Sequence, residues 1–390
     1  MAKYKLGEIC EIVSGSTPKT GIAEYWDGNL KWITPAEIDD ESYIITDSAR
    51  KLTELGVKKT GLSSFPSGTV ILSSRAPIGK VAIAGCEMYC NQGFKNLICS
   101  DRINNRYLYW FLKGNTAYLN SLGRGATFKE ISKKIVSDIE INVPEISQQL
   151  AAVDALERVS EIIRLRKNQL QKLDELIKAR FVELFGDPIS NPMNWNKRTL
   201  KEVCTKLNDG THFSPESFSM GDYKYITAKN IKASGFDFSN ITYVPEAVHR
   251  PIFERCNPEQ GDVLYIKDGA TTGIAIVNTL KEEFTLLSSV ALLKQNRNVI
   301  NGYFLAALLN NADMYSDIRN NMGGAAITRL TIAKLNAVKV IVPPLDLQNR
   351  FAAFVEQVDK SKLQVPSGNA LCIRYPIFYR NNIFERSIKC

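Results

Sequence analysis

The chain contains few of the residues that metal and redox sites require. Only two histidines are present, His212 and His249, so a multi-histidine metal site is not expected. The eight cysteines form no CxxC pair, and no apolar stretch near Met1 resembles a secretion signal. No run approaches the roughly 20 apolar residues of a membrane-spanning helix. These absences predict a cytoplasmic protein with reduced thiols and no metal site.

Motifs for nucleotide chemistry are also missing. RAPIGKV (75–81) lacks the first glycine and the final Ser or Thr of a phosphate-binding loop. FGDPISNP (185–192) contains Asp-Pro and Asn-Pro, but it lacks the second proline and the aromatic residue of an amino-methyltransferase motif. Asp39, Asp40 and Glu41 are interpreted as a solvated acidic turn. We therefore expect this chain to have no catalytic residue and no cofactor of its own.

An internal repeat dominates what the sequence does contain. Five pairs of segments recur in the same order, at an offset of about 193 to 200 residues. They are LKWITPAEI (30–38) with YKYITAKNI (223–231), FPSGTVIL (65–72) with PEQGDVLYI (258–266), PIGKVAIAG (77–85) with TTGIAIVN (271–278), LGRGATFKEI (122–131) with MGGAAITRL (322–330), and Pro144 and Gln148 with Pro344 and Gln348. One pair could arise by chance, but an ordered set of five indicates duplication.

Each copy has the pattern of a mixed α+β unit. GTVILSS, KVAIAG, NLICS, DVLYI and GIAIVN are β-branched runs of strand length. A helix is predicted at NNRYLYWFLKGNTAYLNSL and again at NGYFLAALLNNADMYSDI. The glycines Gly79 and Gly273 are expected to supply a positive φ between two strands.

The segment 147–185 between the copies has a different periodicity. Apolar residues recur there with heptad spacing, at Leu156, Ile163, Leu170, Leu173, Ile177 and Leu184. Such a helix would span roughly 60 Å at about 1.5 Å per residue. We predict a coiled-coil-like spacer that pairs with another helix.

Charge and loop composition point to a polyanionic partner. The net charge of +8 is spread through both copies. Arginine, lysine, asparagine and glutamine can read base edges, while serine, threonine and lysine bind phosphates. The candidate contacts in copy one are Ser16, Thr17, Lys19, Trp26, Lys31, Arg75, Lys80, Asn91, Gln92, Lys95, Arg124 and Lys129, and those in copy two are Thr211, His212, Lys224, Lys229, Lys267, Asp268 and Arg329. The alternative for each is an ordinary solvated surface role.

The pattern resembles the specificity subunits of Type I restriction–modification systems. The resemblance rests on VSGSTPKTGIAEYWDGNLKWITPAEI (13–38), SSRAPIGKVAIAG (73–85), NQGFKNL (91–97) and VPEISQQ (143–149), with their counterparts ending in VPPLDLQNR. It implies an α+β fold in which long helices separate two target recognition domains, each reading half of a split DNA sequence. It also implies double-stranded DNA and methyltransferase and restriction subunits as partners. Those subunits would carry S-adenosylmethionine, ATP and Mg²⁺.

The resemblance sets the expected domain boundaries. We expect a first recognition domain at 1–145, a central spacer helix at 146–190, a second recognition domain at 191–343 and the start of a second spacer helix at 344–362. Residues 363–390 depart from the family, because prolines and Gly368 replace the heptad. The central helix is therefore expected to lack a full-length partner within the chain and could self-associate.

Two other functions remain open from the residues. A fused methyltransferase–specificity enzyme would require an S-adenosylmethionine motif that we do not find. A duplicated protein-interaction scaffold without a DNA role would require only the heptad helix.

Overall fold

The computed structural model describes residues 2–125, 129–320 and 330–364, with side chains up to Lys362. These residues form two compact units, one up to Lys167 and one from Asn168 onward. The boundary falls within a single 40-residue helix, whereas the sequence-based scheme treats that helix as a segment of its own. The predicted atypical tail lies outside the described residues, apart from the backbone of residues 363 and 364.

The first unit is an α+β arrangement of short strands and helices. Its strands are β1 (Ala2–Lys5), β2 (Cys10–Ser14), β3 (Trp26–Ile33), β4 (Ile44–Ile45), β5 (Arg50–Leu52), β6 (Val70–Leu72), β7 (Val81–Ala84), β8 (Tyr89–Cys90), β9 (Lys95–Cys99) and β10 (Glu140–Val143). Its helices are α1 (Leu6–Ile9), α2 (Glu54–Thr60), α3 (Asn105–Gly114), α4 (Thr116–Ser121) and α5 (Lys133–Ser137), followed by the beginning of α6 (Ile146–Phe185). The strands form sheets of order β2-β9-β6-β7-β4, β5-β3-β8 and β1-β10.

The second unit contains corresponding elements. Its strands are β11 (Lys197–Thr199), β12 (Cys204–Asp209), β13 (Tyr223–Ile226), β14 (Ile231–Lys232), β15 (Gly235–Phe236), β16 (Thr242–Val244), β17 (Val263–Ile266), β18 (Ala275–Val277), β19 (Phe284–Leu286), β20 (Val290–Gln295) and β21 (Lys339–Ile341). Its helices are α7 (Leu200–Val203), α8 (Glu246–Arg255), α9 (Gly302–Leu309), α10 (Ala312–Asn320), α11 (Ile332–Ala337) and α12 (Leu345–Gln364). The sheet orders are β12-β20-β17-β18, β16-β13-β19, β11-β21 and β14-β15.

The two units share one strand topology, which confirms the duplication predicted from the sequence. The run β2-β9-β6-β7 corresponds to β12-β20-β17-β18, and β5-β3-β8 corresponds to β16-β13-β19. In each three-stranded sheet the middle strand pairs in parallel with the third, β3 with β8 and β13 with β19. Unit one adds β4 beside β7, whereas unit two forms the hairpin β14-β15. The predicted α+β fold class is therefore correct.

Local sequence signals explain the repeated elements. The side chains of Asn104 and Asn301 cap α3 and α9 by accepting backbone N–H bonds of 2.9 Å. Gly79 and Gly273 have φ values of 93° and 107°, as predicted for the turn that ends at each of them. Apolar faces of β6, β9 and α3 pack in the core of the first unit, and those of β17, β20 and α9 pack in the second.

A buried glutamine joins the start of each long helix to its own unit. Gln149 donates from Nε2 to the carbonyls of Pro144 and Arg102, at 2.8 and 3.0 Å, and accepts from the backbone N–H of Asn104 at 2.8 Å. Gln348 makes the corresponding bonds to Pro343, Val299 and Asn301. The sequence alignment, which matched Pro144 and Gln148 with Pro344 and Gln348, is therefore shifted by one residue in the first copy. Consecutive residues Gln148–Gln149 and Pro343–Pro344 make that register ambiguous from the letters alone.

Helix α6 confirms the long helix predicted at 147–185. It ends at Phe185, and the following Gly186 has a φ of 72°, which suits the end of a helix. Near this end, Phe181 and Phe185 pack with Phe304 of α9 and Phe351 of α12, with ring centroids 4.7 to 5.7 Å apart. No helix in the described part of the chain is long and apolar enough to cross a membrane.

Candidate nucleic-acid interface

Two polar loops lie side by side in the first unit, one after β2 and one after β8. The backbone N–H of Ser16 donates to the carbonyl of Cys90 at 3.0 Å, and the hydroxyl of Thr17 donates to Oε1 of Gln92. The side chain of Asn91 accepts from the N–H of Gly93 at 2.9 Å. The structure thus brings Ser16, Thr17, Asn91 and Gln92 together, which is the arrangement expected if they belong to one binding surface.

Three other candidate contacts of this unit are engaged internally. Trp26 is only 6% exposed, and its Nε1 donates to the carbonyl of Lys19 at 3.2 Å. The guanidinium of Arg50 lies 3.4 Å from the centroid of the Trp26 ring. Lys31 and Lys80 each donate from Nζ to a backbone carbonyl, at 2.6 and 3.0 Å. Lys19 itself has an exposed side chain.

Arg75 and Lys95 converge on the carboxylate of Glu130, and Arg124 lies beside it through its backbone. Arg75 donates from Nε to Oε2 of Glu130 at 2.9 Å, while Nζ of Lys95 lies 3.4 Å from Oε1. The backbones of Arg124 and Glu130 pair in both directions, at 2.9 and 3.0 Å. Lys129 is exposed beside them. An open cavity of about 460 Å³ adjoins this cluster and is lined by Arg124, Glu130, Ser132, Lys134, Ile135 and Asp138.

A comparable cluster forms in the second unit around Asp209. Nζ of Lys267 lies 3.3 Å from Oδ2 of Asp209 and 2.9 Å from Oδ2 of Asp268. The other oxygen of Asp209 is 3.1 Å from Nε2 of His212. Thr211 is buried, and its N–H donates to the carbonyl of Leu286 at 2.8 Å.

The remaining candidates of the second unit lie apart from that cluster or beyond the described residues. Lys224 forms an ion pair with Glu282 at 2.8 Å. Lys229 is exposed in the turn after β13. Arg329 lies outside the described residues. The DNA contacts proposed for these residues, like those of the first unit, stay predictions.

Sequence reasoning missed the two carboxylates that organise these clusters, Glu130 and Asp209. Glu130 stands opposite Arg329 in the aligned repeats, and that reversal of charge was a usable signal. Asp209 precedes the Gly-Thr-His loop at the end of β12. No sequence pattern shows that its partner is a lysine 58 residues away, a separation that only the fold closes.

The predicted partner-facing positions of α6 are all half-buried. They are Leu156, Ile163, Leu170, Leu173, Ile177 and Leu184. Ile177 and Leu184 pack on the core of the second unit, and Lys362 of α12 pairs with Asp174 at 2.8 Å. A different face of α6 carries Ile162, Leu165 and Leu176, which are 47 to 53% exposed. Helix α6 therefore presents apolar side chains on more than one face.

The acidic turn has the solvated character expected from the sequence. Asp39 accepts from the hydroxyl of Ser42 at 2.7 Å, and Glu41 pairs with Lys167 at 3.3 Å. Hydrogen bonds from Ser42 lower the pKa of Asp39. Among the described residues, no group of three or more His, Cys, Asp or Glu side chains is arranged to hold a metal ion.

Comparison with known proteins agrees with this duplicated architecture. The model of the Type I restriction modification DNA specificity domain matches residues 1–175 and again 192–367. The MjaIX specificity subunit of Methanocaldococcus jannaschii is 28% identical over 372 residues, which cover 90% of this chain and 85% of that protein. The MjaVIII specificity subunit of the same organism is 20% identical over 373 residues, 91% of this chain and 85% of that protein.

Solved structures show the same fold. The S subunit of a Type I restriction–modification system from M. genitalium matches with a TM-score of 0.57 at 15% identity, covering 100% of this chain and 96% of that chain. A structure concerned with the assembly and conformational transition of a Type I system matches with a TM-score of 0.55 at 20% identity, covering 99% and 96%.

The chain belongs to the Type I restriction–modification DNA specificity family. It is a DNA-sequence-specificity subunit of such a complex, a recognition subunit rather than an enzyme.

Proposed function

We propose that each of the two units reads one half of a split target in double-stranded DNA. The observation that carries this proposal is the repeated strand topology, with a loop cluster of polar and basic side chains in each copy. Two similar readers require two similar stretches of duplex, separated by bases that neither contacts. Each half-site then contributes modest affinity, and the linked pair binds more tightly than either alone.

We further propose that the long helices dock the methyltransferase subunits and, through them, a restriction subunit. The exposed Ile162, Leu165 and Leu176 of α6 favour burial against a partner helix, since such a row gains by leaving water. In this proposal the partners bind S-adenosylmethionine, ATP and Mg²⁺. Self-association through the same helices is the competing use of this surface.

Mapping of methylated sites in cells tests the proposal directly. Cells that express the chain with its methyltransferase subunits should methylate a motif of two short specified sequences separated by unspecified bases. Replacing residues 1–145 with those of another specificity subunit should change one half of the motif and leave the other half intact. A continuous motif, or a change in both halves, would refute the proposal that each unit reads one half of the target.

The two alternative functions make different predictions for the purified chain. A fused methyltransferase would bind S-adenosylmethionine without partners, which a calorimetric titration would detect. A protein scaffold would show no salt-dependent binding to duplex DNA.

A further inference from the structure

Each unit has one buried lysine among its described residues. Of the lysines whose side chains the structure describes, Lys95 and Lys267 are the two that are buried, at 7% and 2% exposure. An ammonium group loses favourable hydration when it is buried, so it requires partners that compensate. The presence of one such group in each copy therefore calls for a physical explanation.

The two ammonium groups occupy corresponding places in the repeat. Ser74 donates from its N–H to the carbonyl of Gly93 at 2.7 Å, and its own carbonyl accepts from Ile131 at 2.9 Å. Lys267 makes the same two bonds, to Ser289 at 2.9 Å and from Leu330 at 3.0 Å. Lys267 is thus the counterpart of Ser74.

In the first unit the ammonium reaches this place from a different strand. Nζ of Lys95, on β9, lies 3.3 Å from the hydroxyl of Ser74. Strand register makes Ala291 the counterpart of Lys95, because Leu97 and Leu293 pair with the equivalent residues Val70 and Val263. Both units therefore have a buried ammonium group at this place, although it comes from a different residue in each unit.

Each buried lysine holds a carboxylate whose other oxygen engages an exposed side chain. In the first unit, Glu130 accepts from Lys95 on Oε1 and from Arg75 on Oε2, and the Arg75 side chain is 45% exposed. In the second unit, Nζ of Lys267 lies between Asp268, at 2.9 Å, and Oδ2 of Asp209, at 3.3 Å. Oδ1 of Asp209 faces His212 at 3.1 Å and, farther away, Arg255 at 3.9 Å, and the His212 side chain is 56% exposed. The order is the same in both: ammonium, carboxylate, exposed nitrogen side chain.

Stability alone is a weak reason to keep such an arrangement, since apolar replacements of buried ion pairs are often as stable. Orientation is a better reason. Glu130 holds Nε of Arg75 in place. The two Nη groups of Arg75 donate no hydrogen bond to any described residue, so they remain available to a ligand. A fixed guanidinium edge suits the paired acceptors O6 and N7 of guanine, whereas a phosphate contact tolerates a mobile cation.

We propose that Arg75 and His212 each read a base, one in each half of the target, and that Lys95–Glu130 and Lys267–Asp209 are the pairs that position them. This inference rests on the proposed function. It adds Glu130 and Asp209 as positioning residues and assigns Lys95 and Lys267 to the interior rather than to the DNA surface.

The test is selection of binding sites from a randomised duplex by the chain in complex with its methyltransferase subunits. Arg75→Ala should reduce discrimination at one base position by roughly tenfold to a hundredfold and leave the other half-site unchanged. His212→Ala should relax one position in the opposite half. Arg75→Lys keeps the charge but loses the paired donors, so it should behave like Arg75→Ala if a base is read.

The positioning pairs require their own variants. Glu130→Ala should relax the same base position as Arg75→Ala, whereas Glu130→Gln, which still accepts a bond from Nε, should relax it less. Asp209→Asn should affect the position governed by His212. Arg106→Ala serves as the matched control, because Arg106 is a 50% exposed arginine paired with Glu157 in the same unit.

Three results would overturn the inference. The first is that Arg75→Ala weakens binding equally on all DNA sequences and that Arg75→Lys restores it. The second is that Glu130→Ala relaxes base preference in both halves of the motif, and the third is that Arg75→Ala and Arg106→Ala change base preference equally. A wild-type complex that selects no split motif would instead refute the proposed function itself.

Discussion

At the scale of single residues, His249 illustrates how the interior of the second unit limits protonation. Its ring is fully buried and stacks on Tyr223 with centroids 3.8 Å apart. Nδ1 lies 2.9 Å from the hydroxyl of Thr285, and Nε2 lies 3.3 Å from Glu283. Burial lowers the pKa of His249, and the bond with Glu283 opposes that shift without cancelling it.

This shift predicts a pH-dependent stability. The unfolded chain binds a proton at His249 more readily than the folded chain does, because the folded pKa lies below the usual value of about 6.5. The stability due to neutral His249 is fully present above the unfolded-chain pKa of about 6.5. It is lost as the pH falls through the lower pKa of the folded chain. Arg250 lies next to this site and pairs with Glu246 at 3.1 Å and with Glu283 at 2.8 Å.

Urea unfolding of the wild type and of His249→Gln between pH 5 and pH 7.5 would measure this effect. The wild-type midpoint should decrease towards pH 5, and the variant should show a shallower dependence. Identical slopes for the two proteins would contradict the assignment.

Residue-scale contacts were the least predictable part of the molecule. Lys95 and Lys267 carry the same sequence signal as the exposed Lys129, yet both are buried in ion pairs. Glu130 lies 35 residues from Lys95 and Asp209 lies 58 residues from Lys267, so no local pattern reports these two pairings. Only the contact of Lys267 with the adjacent Asp268 is local. Arg75 and His212, by contrast, belong to the predicted surface and are exposed.

At the scale of elements, the buried glutamines show how the long helices are attached. Gln149 has no exposed surface, and its amide satisfies two carbonyls and the N–H of Asn104, close to where α3 begins. Removing that amide leaves buried polar groups unpaired, which costs more than the bond itself contributes.

The adjacent residue supplies a matched control for this attachment. We expect Gln149→Ala to lower the free energy of unfolding by about 1–3 kcal/mol. Gln148→Ala should change it by less than about 0.5 kcal/mol, because Gln148 is exposed. Urea denaturation followed by circular dichroism would compare the two. Equal losses would show that the amide of Gln149 has no special role.

Elements were easier to predict than contacts because their signals are local. The change of periodicity between the copies placed the long helix at 147–185, within one residue of the start of α6, and the heptad from Leu156 to Leu184 lies inside that helix. The two regions predicted as helical each contain two helices, because Asn115 and Asn311 interrupt them. The one-residue shift at Gln149 arose where neighbouring letters are identical and only the hydrogen bonds decide.

At the scale of the whole molecule, the net charge of +8 predicts how DNA binding responds to salt. Each phosphate neutralised by a cation releases counterions, so affinity falls as salt rises. If the two units together contact about six to ten phosphates, affinity should fall by roughly 10³ to 10⁵ between 50 and 200 mM salt. Fluorescence anisotropy with a labelled duplex that contains the mapped motif would measure the slope.

Variants distinguish phosphate contacts from base contacts in the same salt titration. Lys129→Ala should flatten the salt dependence if it contacts a phosphate, whereas Arg75→Ala should leave the slope unchanged and weaken binding at all salt concentrations. Affinity that is independent of salt would argue against a duplex partner.

The different origins of the buried ammonium restrict how such readers can be recombined. A crossover that joined the first unit's β6 and Ser74 to the second unit's β20 and Ala291 would leave no cation beside Ser74. The reverse crossover would place Lys267 beside Lys95 and force two like charges together. New specificities in this lineage should therefore arise by exchanging whole domains, with gene conversion tracts that stop between Ser74 and Lys95 eliminated by selection.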